Sequence, residues 1–259
     1  MGKIISVINQ KGGVGKTTTA VNLSAAMGLE NKKILLVDAD PQGNSTSGYG
    51  INKKELEFSS YELMLSQCKI QEAIITTKYK NVDIIPSSIN LAGVEIELSA
   101  VTGREKILKN YLNEIKENYD FIFIDCPPSL GIITLCALTA CDTALIPIQC
   151  EYYALEGLSQ LINTINMVKK SLNPSLDIEG VLLTMFDGRL NLTISVVDEV
   201  KKYFREKVYS TTIPRNVRLS EAPSYGMPIQ YYDKNSRGTE SYNSLAKEII
   251  KKNKKQVNK

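Results

Sequence analysis

The chain has 259 residues, 43% of them hydrophobic, and its 31 basic and 28 acidic side chains leave a net charge of +3. That is enough apolar material for a sizeable core, which excludes a disordered chain, and so mild a charge neither requires nor excludes nucleic acid as a partner. Histidine is absent, which removes Ser-His-Asp and Cys-His catalysis and the commonest zinc ligand together.

The first strand is expected over 3–9. It runs into Asn9-Gln10-Lys11-Gly12-Gly13-Val14-Gly15-Lys16-Thr17-Thr18, and an amphipathic helical pattern over 17–29 follows at once. Strand, glycine-rich turn and helix N-terminus are the parts of a phosphate cradle. The glycines let backbone N–H groups turn inward, and the helix dipole adds positive potential. Lys16 is placed to reach the β- and γ-phosphates of a nucleotide, and the Thr17 hydroxyl to complete a Mg²⁺ shell. The ordinary pattern has glycine where Gln10 stands, so the match is to the variant with an extra lysine, Lys11. Two readings of Lys11 stand: a solvated loop lysine, or a cation reaching across an interface to a partner's nucleotide.

A second strand over 33–38 ends in Asp38-Ala39-Asp40-Pro41-Gln42-Gly43-Asn44. Two acids at a strand's carboxyl end face the same crevice as the glycine-rich turn. One can hold Mg²⁺ through water and the other can orient an attacking water. After a strand over 82–86 and a helix over 104–117, the run Phe-Ile-Phe-Ile-Asp at 121–125 presents Asp125 in the manner of a Walker B strand. Strands over 143–148, 178–185 and 210–213 then alternate with helices over 155–172 and 193–205. A last helix, about 239–252, leads into a basic polar tail at about 252–259. This alternation of apolar runs and helical patterns predicts parallel βαβ units. The expected fold class is α/β: a single doubly wound, mostly parallel sheet with helices on both faces, one domain over 1–259, and ligands at the carboxyl ends of the strands.

The five cysteines, at 68, 126, 136, 141 and 150, are odd in number, form no CxxC pair and follow no signal peptide, so free thiols in a reducing cytosol are expected. The most apolar stretch, 132–148, is broken by Asp142 and Pro147 and is too polar for a membrane span.

The motifs KGGVGKTTT, DADPQGN and FIFIDCPPS, in this order and spacing, resemble the ParA/Soj/MinD family of deviant Walker A ATPases. QCEYYALEG at 149–157 and IPRNVRLSEAPS at 213–224 are similar to its chromosomal ParA (Soj) branch, and the likeness runs over about residues 2–250. The resemblance implies a P-loop ATPase that uses ATP and Mg²⁺ and closes into a homodimer around two nucleotides. In that state the family binds double-stranded DNA without sequence preference, and a centromere-binding partner of ParB/Spo0J type stimulates hydrolysis. Turnover without the partner is expected to be slow. The implied output is chromosome or plasmid segregation, with replication control in some systems, and the implied location is cytoplasmic and nucleoid-associated.

Residue by residue, the resemblance makes Lys11 the lysine that crosses the interface, beside Lys16 and Asp40 in hydrolysis. Gly12 matches the glycine that must stay small for two P-loops to meet. Gly13, Val14, Gly15, Thr17 and Thr18 complete the phosphate site, and Mg²⁺ would be held by Thr17 and, through water, by Asp40 and Asp125. Met185, Pro214 and Asn216 match the adenine contacts, and Glu151 a ribose contact across the dimer. Arg189 and Arg218 match positions that carry charge toward DNA, with Lys201, Lys202, Lys247, Lys251 and Lys252 as further candidates.

The nearest rival, a MinD-like membrane-associated positioning ATPase, needs a C-terminal amphipathic helix with bulky apolar residues; the last nine residues here hold one valine and no aromatic. An iron–sulfur reductase on the same fold needs two cysteines per subunit at a dimer axis. Cys126 sits within the Walker B run, while Cys136 and Cys141 fall on an apolar helix, so core packing is the expectation.

Overall fold

The computed structural model describes residues 2–151 and 154–257; Tyr152 and Tyr153 of the 149–157 segment, and Asn258 and Lys259 of the tail, lie outside them. In chain order the elements begin with β1 (Lys3–Val7), α1 (Lys16–Leu29), β2 (Ile34–Asp38), α2 (Asn44–Gly48), α3 (Ser60–Met64) and α4 (Ile70–Ala73). They continue with β3 (Ile75–Thr76), β4 (Val82–Ile85), α5 (Val94–Glu97), α6 (Ile107–Ile115), β5 (Phe121–Asp125), α7 (Ile132–Ala140) and β6 (Thr143–Gln149). The last are α8 (Ala154–Ser171), β7 (Asp177–Thr184), α9 (Asn191–Phe204), α10 (Val217–Glu221), α11 (Ile229–Tyr232) and α12 (Arg237–Val257).

The strands form one sheet in the order β3-β4-β2-β5-β1-β6-β7, parallel except for the β3–β4 pair. Side chains alternate across it, as strand geometry requires. Ile4, Leu35, Ile122 and Ile124 enter one core with α6, α7, α8 and α9, while Ile5, Leu36 and Phe123 enter a second with α1 and α12. Both faces are therefore covered, which is why these strands read as continuous apolar runs. The expected doubly wound α/β sheet is what the chain forms.

Two elements differ from the sequence reading. The edge strand β3 is two residues long and antiparallel, too short to leave a periodic signal. The strand expected over 210–213 is instead an extended segment beside β7. Its pairing is limited to bridges at Val208 and Pro214, with Tyr209 N–H and Ile213 N–H donating to the Val181 and Leu183 carbonyls at 3.0 and 2.9 Å. The Ser210 and Thr211 N–H groups turn to the Glu248 carboxylate of α12 at 2.9 and 3.0 Å, which interrupts the ladder. The final helix also continues to Val257, beyond the 252 expected from the sequence.

Candidate functional site

The carboxyl ends of β1, β2, β5 and β7 surround one crevice. The loop from Ile8 to Gly15 leaves β1 and enters α1 through two left-handed glycines, Gly13 (φ 75°) and Gly15 (φ 86°), a conformation that costs a residue with a Cβ dearly. No side chain caps α1 at Gly15, so the N–H groups of its first turn are left to an anion. The Thr184 hydroxyl donates to the Val14 carbonyl at 2.9 Å and ties the loop to the end of β7. Lys16 is only 6% exposed, and its ammonium donates to the Lys11 carbonyl at 3.0 Å. Burial pushes its pKa below the ordinary lysine value, against the pull of Asp125 and Asp40.

Parallel register brings the acids together. Asp38 and Asp125 are direct partners across β2 and β5, and Val7 pairs with Asp125 on the other side. Both carboxylates are fully buried; burial, with a smaller push from Asp40, raises Asp38 to about 6, and burial with repulsion from Asp38 raises Asp125 to about 7. The hydrogen bond from Ser45 and the nearby Thr17 hydroxyl oppose the rise at Asp125. Asp40, 7% exposed, accepts from the Gln42 N–H at 2.9 Å.

The helix α2 supplies what the sequence reading missed. The Ser45 hydroxyl donates to Asp125 Oδ2 at 2.8 Å, and Thr46 donates to Asp38 Oδ2 through its hydroxyl at 2.7 Å and its N–H at 2.8 Å. No residue spacing announces these roles, because they arise only when α2 folds back behind the strand ends.

The other oxygen of the Walker B acid, Asp125 Oδ1, is buried with no hydrogen-bond partner. Such an atom needs a donor or cation. Among the described residues no three His, Cys, Asp or Glu side chains converge as a metal-binding group. A hydroxyl on Thr17 with nearby carboxylates suits Mg²⁺, which keeps several waters and takes phosphate oxygens, so the residues present fit that ion.

Next to the loop lies a cavity of about 230 Å³ whose lining includes Gly15, Thr18, Met185, Pro214, Asn216 and Pro223. The three residues matched to adenine are thus brought together beside the phosphate loop. Met185 holds a positive φ of 49°, and Asn216 caps α10 by accepting from the Arg218 N–H at 2.8 Å. Tyr242 closes part of the cavity wall from α12, a contribution no motif signals.

Other expected residues stay outside the crevice. Lys11 pairs with Glu151 at 3.5 Å rather than joining Lys16. A Cβ on Gly12 would meet nothing within 4 Å in its own chain. Arg189 pairs with Asp187 at 2.7 Å, and Arg218 with Glu221 at 2.8 Å. Lys252, a candidate for DNA, turns inward instead: it bonds the Glu179 carbonyl and lies 5.2 Å from the Tyr209 ring centroid. All five cysteines are free, and four are buried.

The fold and this crevice place the chain in the P-loop class of nucleotide-binding α/β proteins. The family described as AAA domain matches residues 2–178. The chain is 60% identical over 249 residues to sporulation initiation inhibitor protein Soj of Bacillus subtilis (strain 168), covering 96% of this chain and 98% of that protein. It is 50% identical over 250 residues to chromosome-partitioning ATPase Soj of Treponema pallidum (strain Nichols), with 96% and 98% covered. Among solved structures, cobyrinic acid a,c-diamide synthase from Mycobacterium smegmatis with bound ADP and magnesium is similar at a TM-score of 0.85 and 34% identity, over 96% of this chain and 94% of that one. The chain belongs to the Soj/ParA family of chromosome-partitioning ATPases.

Proposed function

We propose that the chain is a Soj/ParA-type switch: it binds ATP with Mg²⁺, pairs with a second copy around two nucleotides, and in that state binds duplex DNA without sequence preference. A ParB/Spo0J-type partner would speed hydrolysis and reset it, in the service of chromosome or plasmid segregation in the cytoplasm and on the nucleoid. The whole chain acts as one ATPase domain in this reading. The observation that supports it most is the Lys16 ammonium, nearly buried, held by the Lys11 carbonyl and facing Asp40 and Asp125 at the start of α1.

In this reading Gly12 to Thr18 wrap the phosphates, Met185 and Pro214 sandwich the base, and Asn216 reads its edge with the amide nitrogen left over from capping α10. Thr17, with Asp40 and Asp125 through water, would hold Mg²⁺, which supplies charge neutralisation on the phosphate oxygens. Asp40 orients the attacking water, and Lys16 neutralises charge on the transferring group. Lys11 serves the neighbouring copy's nucleotide. Its absence from its own crevice is consistent with that role.

The membrane-positioning alternative gains nothing from α12. That helix is held to the body by Asn253, which donates to Glu179 Oε1 at 2.9 Å, and its last turns are rich in lysine. The test is duplex binding and ATP hydrolysis by the full chain with ATP, with ADP and after Lys16→Ala. Binding of any duplex by the wild type with ATP alone, lost in Lys16→Ala with at least about a tenfold fall in hydrolysis, is the expected result. Duplex ignored in every nucleotide state would sink the DNA half of the proposal.

A further inference from the structure

Both arginines matched to DNA have their donors already engaged by acids of the same chain. The Arg189 side chain, 88% exposed, forms a two-pronged pair with Asp187: Nε donates to Oδ1 at 2.9 Å and Nη2 to Oδ2 at 2.7 Å, and its backbone N–H also reaches Oδ1 at 3.2 Å. These bonds hold the Asp187 carboxyl down to about 2. Arg218 Nη1 donates to Glu221 Oε2 at 2.8 Å, and its Nε lies 3.4 Å from Asp233 Oδ2. The Tyr232 hydroxyl donates to the same Glu221 oxygen at 3.1 Å and fixes that carboxylate beside the guanidinium. A guanidinium fork fits a carboxylate and a phosphate through the same N–H groups, so a phosphate that takes the Nε–Nη2 edge of Arg189 must displace Asp187, and one that takes Nη1 of Arg218 must displace Glu221.

We propose that Asp187 and Glu221 are competitors, built into the chain, for the phosphate backbone of a nucleic-acid duplex, and that they set how tightly Arg189 and Arg218 can hold it. The inference rests on the DNA reading above and adds a regulation of that surface. Each pair is solvent-exposed, so it yields to an incoming phosphate and re-forms when the duplex leaves. The acids also repel the duplex directly, which keeps affinity low until two copies combine their arginines. Affinity is then low enough for release, as a switch requires.

A lipid surface is the rival partner, because Leu190, Leu192 and Ile194 are exposed at 55%, 48% and 48% beside Arg189. Leu190, at the N-cap of α9, and Ile194 are four apart and share a face, but Leu192 leaves on another, so the exposed apolar residues make a pair and not a continuous stripe for a bilayer. A duplex asks only for charge in the right place.

The experiment is fluorescence anisotropy of a short random-sequence duplex with the full chain, Mg²⁺ and a non-hydrolysable ATP analogue at fixed moderate salt. Asp187→Asn and Glu221→Gln are each expected to tighten binding about 3- to 10-fold, whereas the exposed control Glu114→Gln on α6 changes it less than about twofold. Adding Arg189→Ala to Asp187→Asn, or Arg218→Ala to Glu221→Gln, is expected to cancel the gain. Unchanged affinity in both acid variants while the wild type binds, or a gain no larger than the control's, overturns the competitor role alone. A wild type and variants that all ignore duplex overturn it together with the DNA reading. A gain on anionic phosphatidylglycerol vesicles and not on duplex overturns it in favour of lipid.

Discussion

The Thr46 hydroxyl donates to Asp38 at 2.7 Å and accepts from the Ser87 N–H at 2.8 Å, so one side chain ties the ends of β2 and β4 together behind the acids. Replacing it with valine keeps the shape and removes both bonds inside a fully buried site. Thr46→Val is expected to lose about 1–3 kcal/mol of stability and Thr46→Ser less than half of that, read from denaturant midpoints. The acid pair has a second consequence. Asp38 and Asp125 titrate near 6 and 7 in the fold, against an ordinary 3.8, so between these limits the folded chain binds more protons than the unfolded one. This contribution to stability is complete below about pH 4 and is lost as the pH rises toward 7. Carboxylates with lowered pKa values, such as Glu179 and Asp187, gain stability as the pH rises to about 5, so the fall belongs to the range from about pH 5 to 7 for the nucleotide-free protein in EDTA, and a rise there would contradict the buried pair.

Between elements, one close approach joins the turn after α2 to the turn after α10. Gly50 (φ 73°) and Gly226 (φ 61°) touch backbone to backbone: a Cβ on Gly50 would stand 2.9 Å from the Gly226 carbonyl oxygen. Around them Tyr49 meets Tyr79 edge on face, Tyr231 packs tilted against Tyr79, and the Tyr79 hydroxyl donates to the Gly226 carbonyl at 2.7 Å. The contact seats the 222–225 turn, which carries Pro223 into the lining of the cavity beside the glycine-rich loop, against the helix that positions the acids. Gly50→Ala combines a left-handed φ with a clash and is expected to cost about 2 kcal/mol. It should also weaken nucleotide affinity, measured by titration with a fluorescent ATP analogue. Undiminished affinity together with full stability would show that the two turns are not coupled. None of this contact was legible beforehand, since Gly50 and Gly226 lie far apart in sequence and each reads alone as an ordinary loop glycine.

For the whole molecule, the decisive prediction concerns Gly12. Its own chain leaves open space where a Cβ would go, so Gly12→Val is expected to keep its fold and bind nucleotide within about threefold of the wild type. It should nevertheless fail to form the ATP-dependent dimer proposed above, as read by light scattering after size exclusion. A Gly12→Val protein that dimerises normally would remove the reason for glycine at this position. The sheet class, the glycine-rich loop after the first strand and the acids at or just beyond the ends of β2 and β5, Asp40 and Asp125 among them, could be read along the chain alone. Those rest on local rules: a glycine turn between strand and helix, apolar runs of strand length, and a carboxylate at the end of each run. It takes the folded chain to set Asp38 beside Asp125, to bring Ser45 and Thr46 to hold the pair, and to give Glu248 the N–H groups that a strand over 210–213 would have used. Folding also turns Lys252 inward and pairs Arg189 and Arg218 with acids. Strand register, helix docking and the choice of ion-pair partner depend on which distant segments meet, and no local pattern in a chain encodes that meeting.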